Sequence, residues 1–470
     1  MSLLGLELSD AGIMVAGGNP PQLLEVDGGD RESPGFALVD DTGLIVGKDA
    51  QEKARLNPRF FTNHFWDELG TEPLTQPGLE GKNNAELAYA HLSRIWNKVK
   101  GQGTEIVMAV PGFFAQKKLG LILGIAKELS MPVKGFAPLA LAASSQPSPD
   151  HILLHVDIHL HRVEVTLLEQ NGYLTQKQVE TLSGKGIASL YSAWVKAIAD
   201  EFVRTTRFDP LDRAVYEQEL YNRLPDVLRE LQVNPSTLFE MRAGSQSYRV
   251  ILTYDLFAPK GNEVLGEIRQ LIEEMVKKNV TSEIPLVLQV TQRISSLPHY
   301  RDELCRIPTA RIIVREPGSA ALGILELKDQ FSSRATSQGV ALLTSRSWQP
   351  AHPSRDSTMV SHSHPPRCPT HLLYGNVAYP LSHEPLTIGQ GQESEVSIRI
   401  PDDRSGVSPR HCTIQLKGDE VVLTNQSTHG TFIDGTRVSG TAIVTLGQTI
   451  QVGTSGEQFR LIACVESHET

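Results

Sequence analysis

Four side chains alternate along one short stretch: His155, Asp157, His159 and His161. On an extended strand, residues two apart share a face. Imidazole and carboxylate groups gathered in this way are a donor set for zinc and other transition metals. The other reading is a polar strand face looking into an open cleft, with Val156, Ile158 and Leu160 packed inside. A looser group, His362, His364, Cys368 and His371, lies in a segment that reads as polar linker. Covalent catalysis has less to stand on. No G-x-S-x-G element occurs, so no nucleophile elbow is indicated. The four cysteines, Cys305, Cys368, Cys412 and Cys464, form no C-x-x-C pair. That spacing excludes a disulfide scaffold and an ordinary zinc finger, and it suits a reducing cytoplasm.

Those side chains need elements to hold them. Alternating apolar runs predict strands at Leu3–Leu8, Gly12–Ala16, Leu44–Gly47, Ile106–Val110, Leu286–Val290 and Ile312–Val314. Ile152–Leu160 and Val163–Leu168 read as a hairpin. Helical spacing marks Asn84–Val99 and Gln116–Leu129. It also marks a long amphipathic helix through Ile187, Tyr191, Trp194, Ile198 and Phe202, and another over Val264–Lys278. Mixed order of this kind predicts an α/β architecture. After Leu372 the pattern changes. Short strands recur between turn residues, at Pro385–Ile388, Val396–Ile400, His411–Leu416, Val421–Thr424, Thr431–Ile433, Ile450–Val452 and Phe459–Ile462. No helical pattern intervenes, which predicts an all-β sandwich. Residues 332–370 are rich in Ser, Pro, His and Arg and lack periodicity, so they read as a flexible linker. The expected organisation is an α/β unit over 1–331, this linker, and a β-domain over 371–470.

Composition narrows the function classes. With 40% hydrophobic and 21% charged residues, the chain is neither disordered nor fibrous. A net charge of −10 argues against non-specific binding to nucleic acid. The longest apolar runs, Leu119–Ala126 and Ala137–Ala143, fall far short of the roughly 20 residues a membrane helix needs. Glu7 and Asp10 near the start, with no Lys or Arg before Arg31, do not fit a secretory signal. A cytoplasmic protein is expected, without membrane insertion.

The N-terminal region carries ordered landmarks that resemble the actin-like ATPase superfamily, in its heat-shock chaperone (DnaK-type) branch. Gly5-Leu-Glu-Leu-Ser-Asp10 stands where the family has its first phosphate loop. Ser33-Pro34 with Leu44–Gly47, Ala109–Phe114 with Gln116-Lys117, and Ala137–Ala143 follow in family order. Val156-Asp157 then heads the second phosphate hairpin, Ser183–Gly186 precedes a helix, and Glu316–Gly323 closes the series. The resemblance implies a bilobal fold and a nucleotide site that uses Glu7, Ser9, Asp157, Gly184 and Gly186. The family's motifs are altered, however. The metal-binding Asp is Glu7, the loop Gly is Ser9, and the next residue is Asp10. A carboxylate there would repel phosphate unless a cation intervened. The second loop, Asp157-Ile-His-Leu-His-Arg162, has lost all three glycines. Trp66–Gly70 lacks the catalytic Lys, and Val290–Ile294 lacks the glycines of the adenosine loop. Phosphoryl transfer depends on positioning and electrostatics, so a pseudo-ATPase is expected. No cofactor is expected; ATP with magnesium is the one the resemblance would allow. No peptide-clamping domain follows.

The C-terminal region resembles a forkhead-associated domain, a sandwich whose loops read phosphothreonine peptides. The residues are Ile388-Gly-Gln390, Val407-Ser-Pro-Arg-His411, Ser427–Gly435 and Leu446–Gly453. The resemblance implies a recognition site from Gly389, Gln390, Arg404, Ser408, Arg410, His411, Thr428, His429 and Gly430. A phosphate calls for charge-assisted donors, which a Ser hydroxyl and a guanidinium supply. Ser408 matches the phosphate-contacting Ser, and His411 matches the His that orders the loop from behind. Two positions depart from the family: its Arg is Gln390, and its peptide-holding Asn is His429. Arg404 and Arg410 could partly replace the lost charge. A phosphopeptide binder, a binder of an unphosphorylated protein surface and a purely structural domain stay open. Two classes follow for the whole chain. One is a non-enzymatic adaptor with a protein partner, in keeping with a bacterial regulator near a Ser/Thr kinase. The other is a chaperone-like ATPase with diverged loops.

Overall fold

The computed structural model describes residues 2–144, 151–279, 284–334, 340–347, 369–374, 377–391, 397–400, 406–417, 420–433, 436–445, 448–453 and 457–462. The chain divides into two units, residues 1–351 and 352–470.

The first unit holds two sheets of matching design. In the first, β1 (Leu3–Glu7), β2 (Met14–Gly17) and β3 (Gln22–Leu23) form an antiparallel meander. β4 (Glu105–Val110) then lies parallel to β1, and β5 (Val133–Pro138) parallel to β4. In the second, β6 (Ile152–Ile158), β7 (Arg162–Gln170) and β8 (Tyr173–Ser183) form the meander. β9 (Leu286–Thr291) is parallel to β6, and β10 (Ala310–Arg315) is parallel to β9. Strand order and polarity are the same in both. In each sheet the fifth strand is followed by a short helix, Leu139–Ala143 in one and Ser319–Gly323 in the other. The two short helices pack on each other through Gly323, against the Ala142 carbonyl.

Helices cover these sheets where the apolar spacing requires it. α1 (Asn84–Val99) starts at a capping box between Asn83 and Glu86. It buries Leu87, Leu92, Ile95 and Val99, each worth about 1.5–3 kcal/mol relative to exposure. α2 (Gln116–Glu128) joins the same core. Against the second sheet, α3 (Ile187–Thr206) buries Leu190, Trp194, Ile198 and Phe202. It shares one core with α4 (Ala214–Leu231), α5 (Tyr254–Asn279) and the hairpin Ser236–Ala243/Gln246–Thr253. Among the described residues no helix is long and apolar enough to cross a membrane.

The expected linker begins too early. The helix Lys328–Arg334 runs across residue 332, and two strands follow it. β11 (Ala341–Leu342) extends the first sheet beside β5, and β12 (Ser345–Ser347) extends the second beside β8. Leu343 is fully buried and Arg346 nearly so, which a composition dominated by Ser and Arg did not signal.

The second unit is an all-β sandwich. Its six-stranded sheet runs Val377–Pro380, His371–Tyr374, Glu457–Ile462, Thr449–Val452, Thr431–Ile433, Thr436–Arg437. Its five-stranded sheet runs Ile398–Arg399, Leu386–Gly389, Cys412–Lys417, Glu420–Asn425, Thr441–Val444. Alternate residues from both sheets, among them Ile388, Ile414, Leu423, Ile450, Val452 and Phe459, meet in one core.

Candidate functional site

The first candidate region lies where the ends of β1 and β6 face each other. Glu7 ends β1 and Asp157 is the penultimate residue of β6, so the matching sheets bring two carboxylates to equivalent places. The hairpin between β6 and β7 closes directly on the loop after β1. The backbone N–H of Leu160 donates to Asp10 Oδ1 at 2.7 Å, and His159 Nδ1 lies 3.2 Å from Ser9 Oγ. Ser9 and His159 are 0% and 1% exposed. The void beside His159 holds only about 10 Å³, room for no more than one water.

Charge explains why this closure holds. Burial alone would depress the His159 imidazole. Asp157, then Glu164 and Asp10, overcome that and hold it at about 9. His159 Nε2 lies 3.6 Å from Glu164 and 3.9 Å from Asp157, while Nδ1 lies 3.8 Å from Asp10. The cation that Asp10 required is therefore a side chain from the hairpin of the second sheet. Arg293 supplies a second. It donates to Glu32 at 2.8 Å and to the Gly12 carbonyl at 3.2 Å, with Asp157 and Glu7 at 3.8 and 4.0 Å. These carboxylates keep its pKa raised against burial. The Glu7 carboxylate accepts from the N–H groups of Ala320 and Ala321, and burial pushes it up to about 6.

The glycines play no open role. Gly184 N donates to the His161 carbonyl at 2.8 Å. A Cβ on Gly186 would lie 2.4 Å from the Leu160 carbonyl oxygen, so Gly186 is needed for close packing of the hairpin. The N–H groups that open α3, on Ile187 and Ala188, donate to the His159 and Leu160 carbonyls at 3.0 and 2.9 Å. A helix N-terminus is an anion site only while such donors are available. The two loops meet here, and their donors and carboxylates are engaged with one another. The large cavity of the first unit, about 1160 Å³, runs past Lys48, Arg55, Leu160, Tyr191, Trp194 and Arg293 instead. None of Glu7, Ser9, Asp157, Gly184 and Gly186 lines it.

The metal reading of the alternating histidines is corrected as well. Among the described residues no group of three or more His, Cys, Asp or Glu side chains is disposed to hold an ion. His161 turns away to stack on His64 with ring centroids 3.6 Å apart, and its Nε2 lies 2.9 Å from the Asn63 carbonyl oxygen. The polar face does not look into an open cleft either, because every residue of β6 is buried. Glu164, which receives the Gly112 N–H, and Arg293 were not marked by the sequence; both act on partners far away in the chain. His362, His364 and Cys368 lie outside the described residues.

The second candidate region is the loop end of the sandwich. Here His411 is buried and braces two loops at once. Its Nδ1 accepts from the Ser408 N–H at 3.1 Å, so its Nε2–H donates to the Gly430 carbonyl at 3.0 Å. Burial lowers its pKa, consistent with this neutral form. Asn425 ties the second loop: its Oδ1 accepts from the Ser427 N–H, the Ser427 hydroxyl and the Thr431 hydroxyl. The Ser427 hydroxyl in turn accepts from the Gly430 N–H at 2.9 Å. The first loop is fixed by Gln390 N to the Ser408 carbonyl and Gly391 N to the Pro409 carbonyl. Gly389 lies beneath that same carbonyl, with no room for a Cβ.

This scaffold leaves particular groups facing outward. Arg410, Thr428 and His429 are exposed, and Ser408 and Gln390 are half-buried. Among the described residues the Ser408 hydroxyl makes no hydrogen bond and Arg410 no ion pair. Arg404 lies outside the described residues. The structure thus gathers Gly389, Gln390, Ser408, Arg410, His411, Thr428, His429 and Gly430 at one end of the sandwich. Residues 386–453 match the family model of the FHA domain. The second unit therefore contains an FHA domain, a module that binds protein partners, with the loops just described inside the matched span. No curated protein matches the chain.

Proposed function

We propose that this chain is a non-enzymatic cytoplasmic adaptor. Its FHA domain binds a phosphothreonine-bearing protein, and its first unit is a DnaK-type pseudo-ATPase of the actin-like superfamily, acting as scaffold. The observation that carries the binding half is the His411 brace. One buried imidazole aligns the Ser408 and Gly430 loops from behind, so the Ser408 hydroxyl and the Arg410 guanidinium stay available to an anion. Two matched lobes with the landmark segments in family order support the superfamily reading. The hydrogen-bonded closure of the two loops, with His159 between them, supports loss of turnover.

The test has two arms. A phosphothreonine peptide library offered to the full chain is expected to bind better than its threonine counterpart; equal binding sinks the phosphopeptide reading. Calorimetry with ATP and magnesium is expected to give no heat of binding. A micromolar dissociation constant with measurable hydrolysis would overturn the pseudo-ATPase reading.

A further inference from the structure

Arg437 belongs to none of the motifs read from the sequence. It lies on the short strand Thr436–Arg437, opposite Phe432 in the pair with Thr431–Ile433. That register brings its guanidinium against Gly430. A Cβ at Gly430 would lie 2.9 Å from Arg437 Nε and 3.4 Å from Cζ. Gly430 also has φ +103°, a conformation L side chains rarely adopt. A side chain at 430 would therefore be strained and would displace the guanidinium. Gly430 is also the residue whose carbonyl receives His411, which holds Ser408. Ser408, His411, Gly430 and Arg437 form one continuous path of contacts.

Arg437 is exposed, and among the described residues it makes no hydrogen bond and no ion pair. Several arginines elsewhere in this acidic chain are held by carboxylates: Arg94 by Asp27, Arg162 by Asp67, Arg223 by Glu219, Arg269 by Glu303, Arg293 by Glu32. A guanidinium laid against bare backbone, with no carboxylate on it among the described residues, keeps its donors for an incoming anion. Gln390 removes one positive charge from this end, and Arg437 puts one back from the other loop.

We propose that Arg437 is a phosphate-binding residue of the FHA domain, filling the role that Gln390 cannot. The phosphate is received across the Ser408 hydroxyl, Arg410 and the Arg437 fork. This inference rests on the phosphopeptide reading, and its test separates the two. The full chain and its Arg437→Gln variant are titrated with two degenerate peptide libraries, one with a fixed central phosphothreonine and one with threonine. The wild type is expected to prefer the phosphorylated library, and the variant to lose that preference by roughly tenfold or more. Threonine-library binding and the melting temperature should stay unchanged. Gln390→Arg in the Arg437→Gln background should restore the preference. A wild type without preference sinks the phosphopeptide reading and this proposal with it. A wild-type preference that survives intact in Arg437→Gln overturns this proposal alone. So does an equal loss for both libraries, because Arg437 would then touch the peptide or brace the loop rather than read phosphate.

Discussion

Two loop-built regions of this molecule use the same kinds of residue in opposite ways. In the first unit, the loops after β1 and β6 are bonded to each other. Donors that could meet a ligand, at Leu160, Ile187 and Ala188, end on Asp10 and on backbone carbonyls of the hairpin. In the FHA domain, the loops at Ser408 and Gly430 are bonded to a histidine behind them, and among the described residues the Ser408 hydroxyl and the Arg410 guanidinium take no partner. Both regions contain a buried histidine joined to a serine-bearing loop. His159 is charged and placed between loops that face each other. His411 is neutral and placed beneath loops that face away. A buried imidazole therefore does not mark a binding site by itself; what decides is whether it spends the surrounding donors or frees them.

The strongest way to break this comparison is at Arg293. If the first unit is closed by internal charge, Arg293→Met strands Glu7, Glu32 and Asp157 without their guanidinium. The expected loss is about 3–5 kcal/mol in denaturant unfolding followed in the first unit. A loss below about 1 kcal/mol would mean that water screens the region and the closure is not electrostatic. The next effect is on pH. The folded pKa of His159, about 9, lies above its ordinary value of 6.5. Its stabilisation is complete below pH 6.5 and fades as pH rises towards 9, by an amount on the order of 3 kcal/mol. His159→Gln should be less stable at pH 6.5 and should flatten that slope. An unchanged slope would show that the three carboxylates around it do not hold the proton.

A smaller contrast sets the two serines against each other. Ser408→Ala should weaken binding of the phosphothreonine library by about 1–3 kcal/mol and leave unfolding unchanged. Ser9→Ala should leave peptide binding unchanged and lower stability by about 1 kcal/mol, the worth of one buried hydrogen bond. If Ser408→Ala destabilised the domain without affecting binding, its hydroxyl would be structural and the contrast would collapse.

How much of this was legible in the sequence follows the same division. The FHA loops announced themselves because turns and an exposed anion site demand particular residue types at fixed spacings, as at Ser408-Pro-Arg-His411. Arg437 escaped because its role depends on cross-strand register with Phe432, not on a motif. In the first unit many strands and helices were readable from apolar spacing, but the strands β5 and β8, the helix α4 and the hairpin after it were not marked. α4 carries Pro225 in its interior, and proline ordinarily ends a helix. α5 begins at Tyr254, ten residues before the predicted Val264, because Pro259 and Gly261 in its first turns read as a break. The departures from the phosphate-loop motifs that the first unit resembles were visible as lost glycines. Their mutual closure was not, since Ser9 and Asp10 meet partners 150 residues away in the chain. Local patterns report which face of an element is apolar; they do not report what will cover a polar one.

The smallest expected effect gives the sharpest view of how outward the FHA loops are. His429 stands where the family's peptide-holding Asn is expected, and it is exposed. An amide carries a donor and an acceptor on one short side chain, which suits it to bridge an extended peptide backbone. A neutral imidazole also offers one of each, but on a rigid ring that cannot aim both at one peptide unit. His429→Asn should therefore add about one peptide hydrogen bond and tighten binding by roughly 1 kcal/mol. Because the contact is to backbone, the gain should be equal for phosphothreonine and threonine libraries. A gain restricted to the phosphorylated library would place residue 429 at the phosphate. No gain in either would mean that the peptide does not cross this loop, and that the outward-facing end binds its partner by another path.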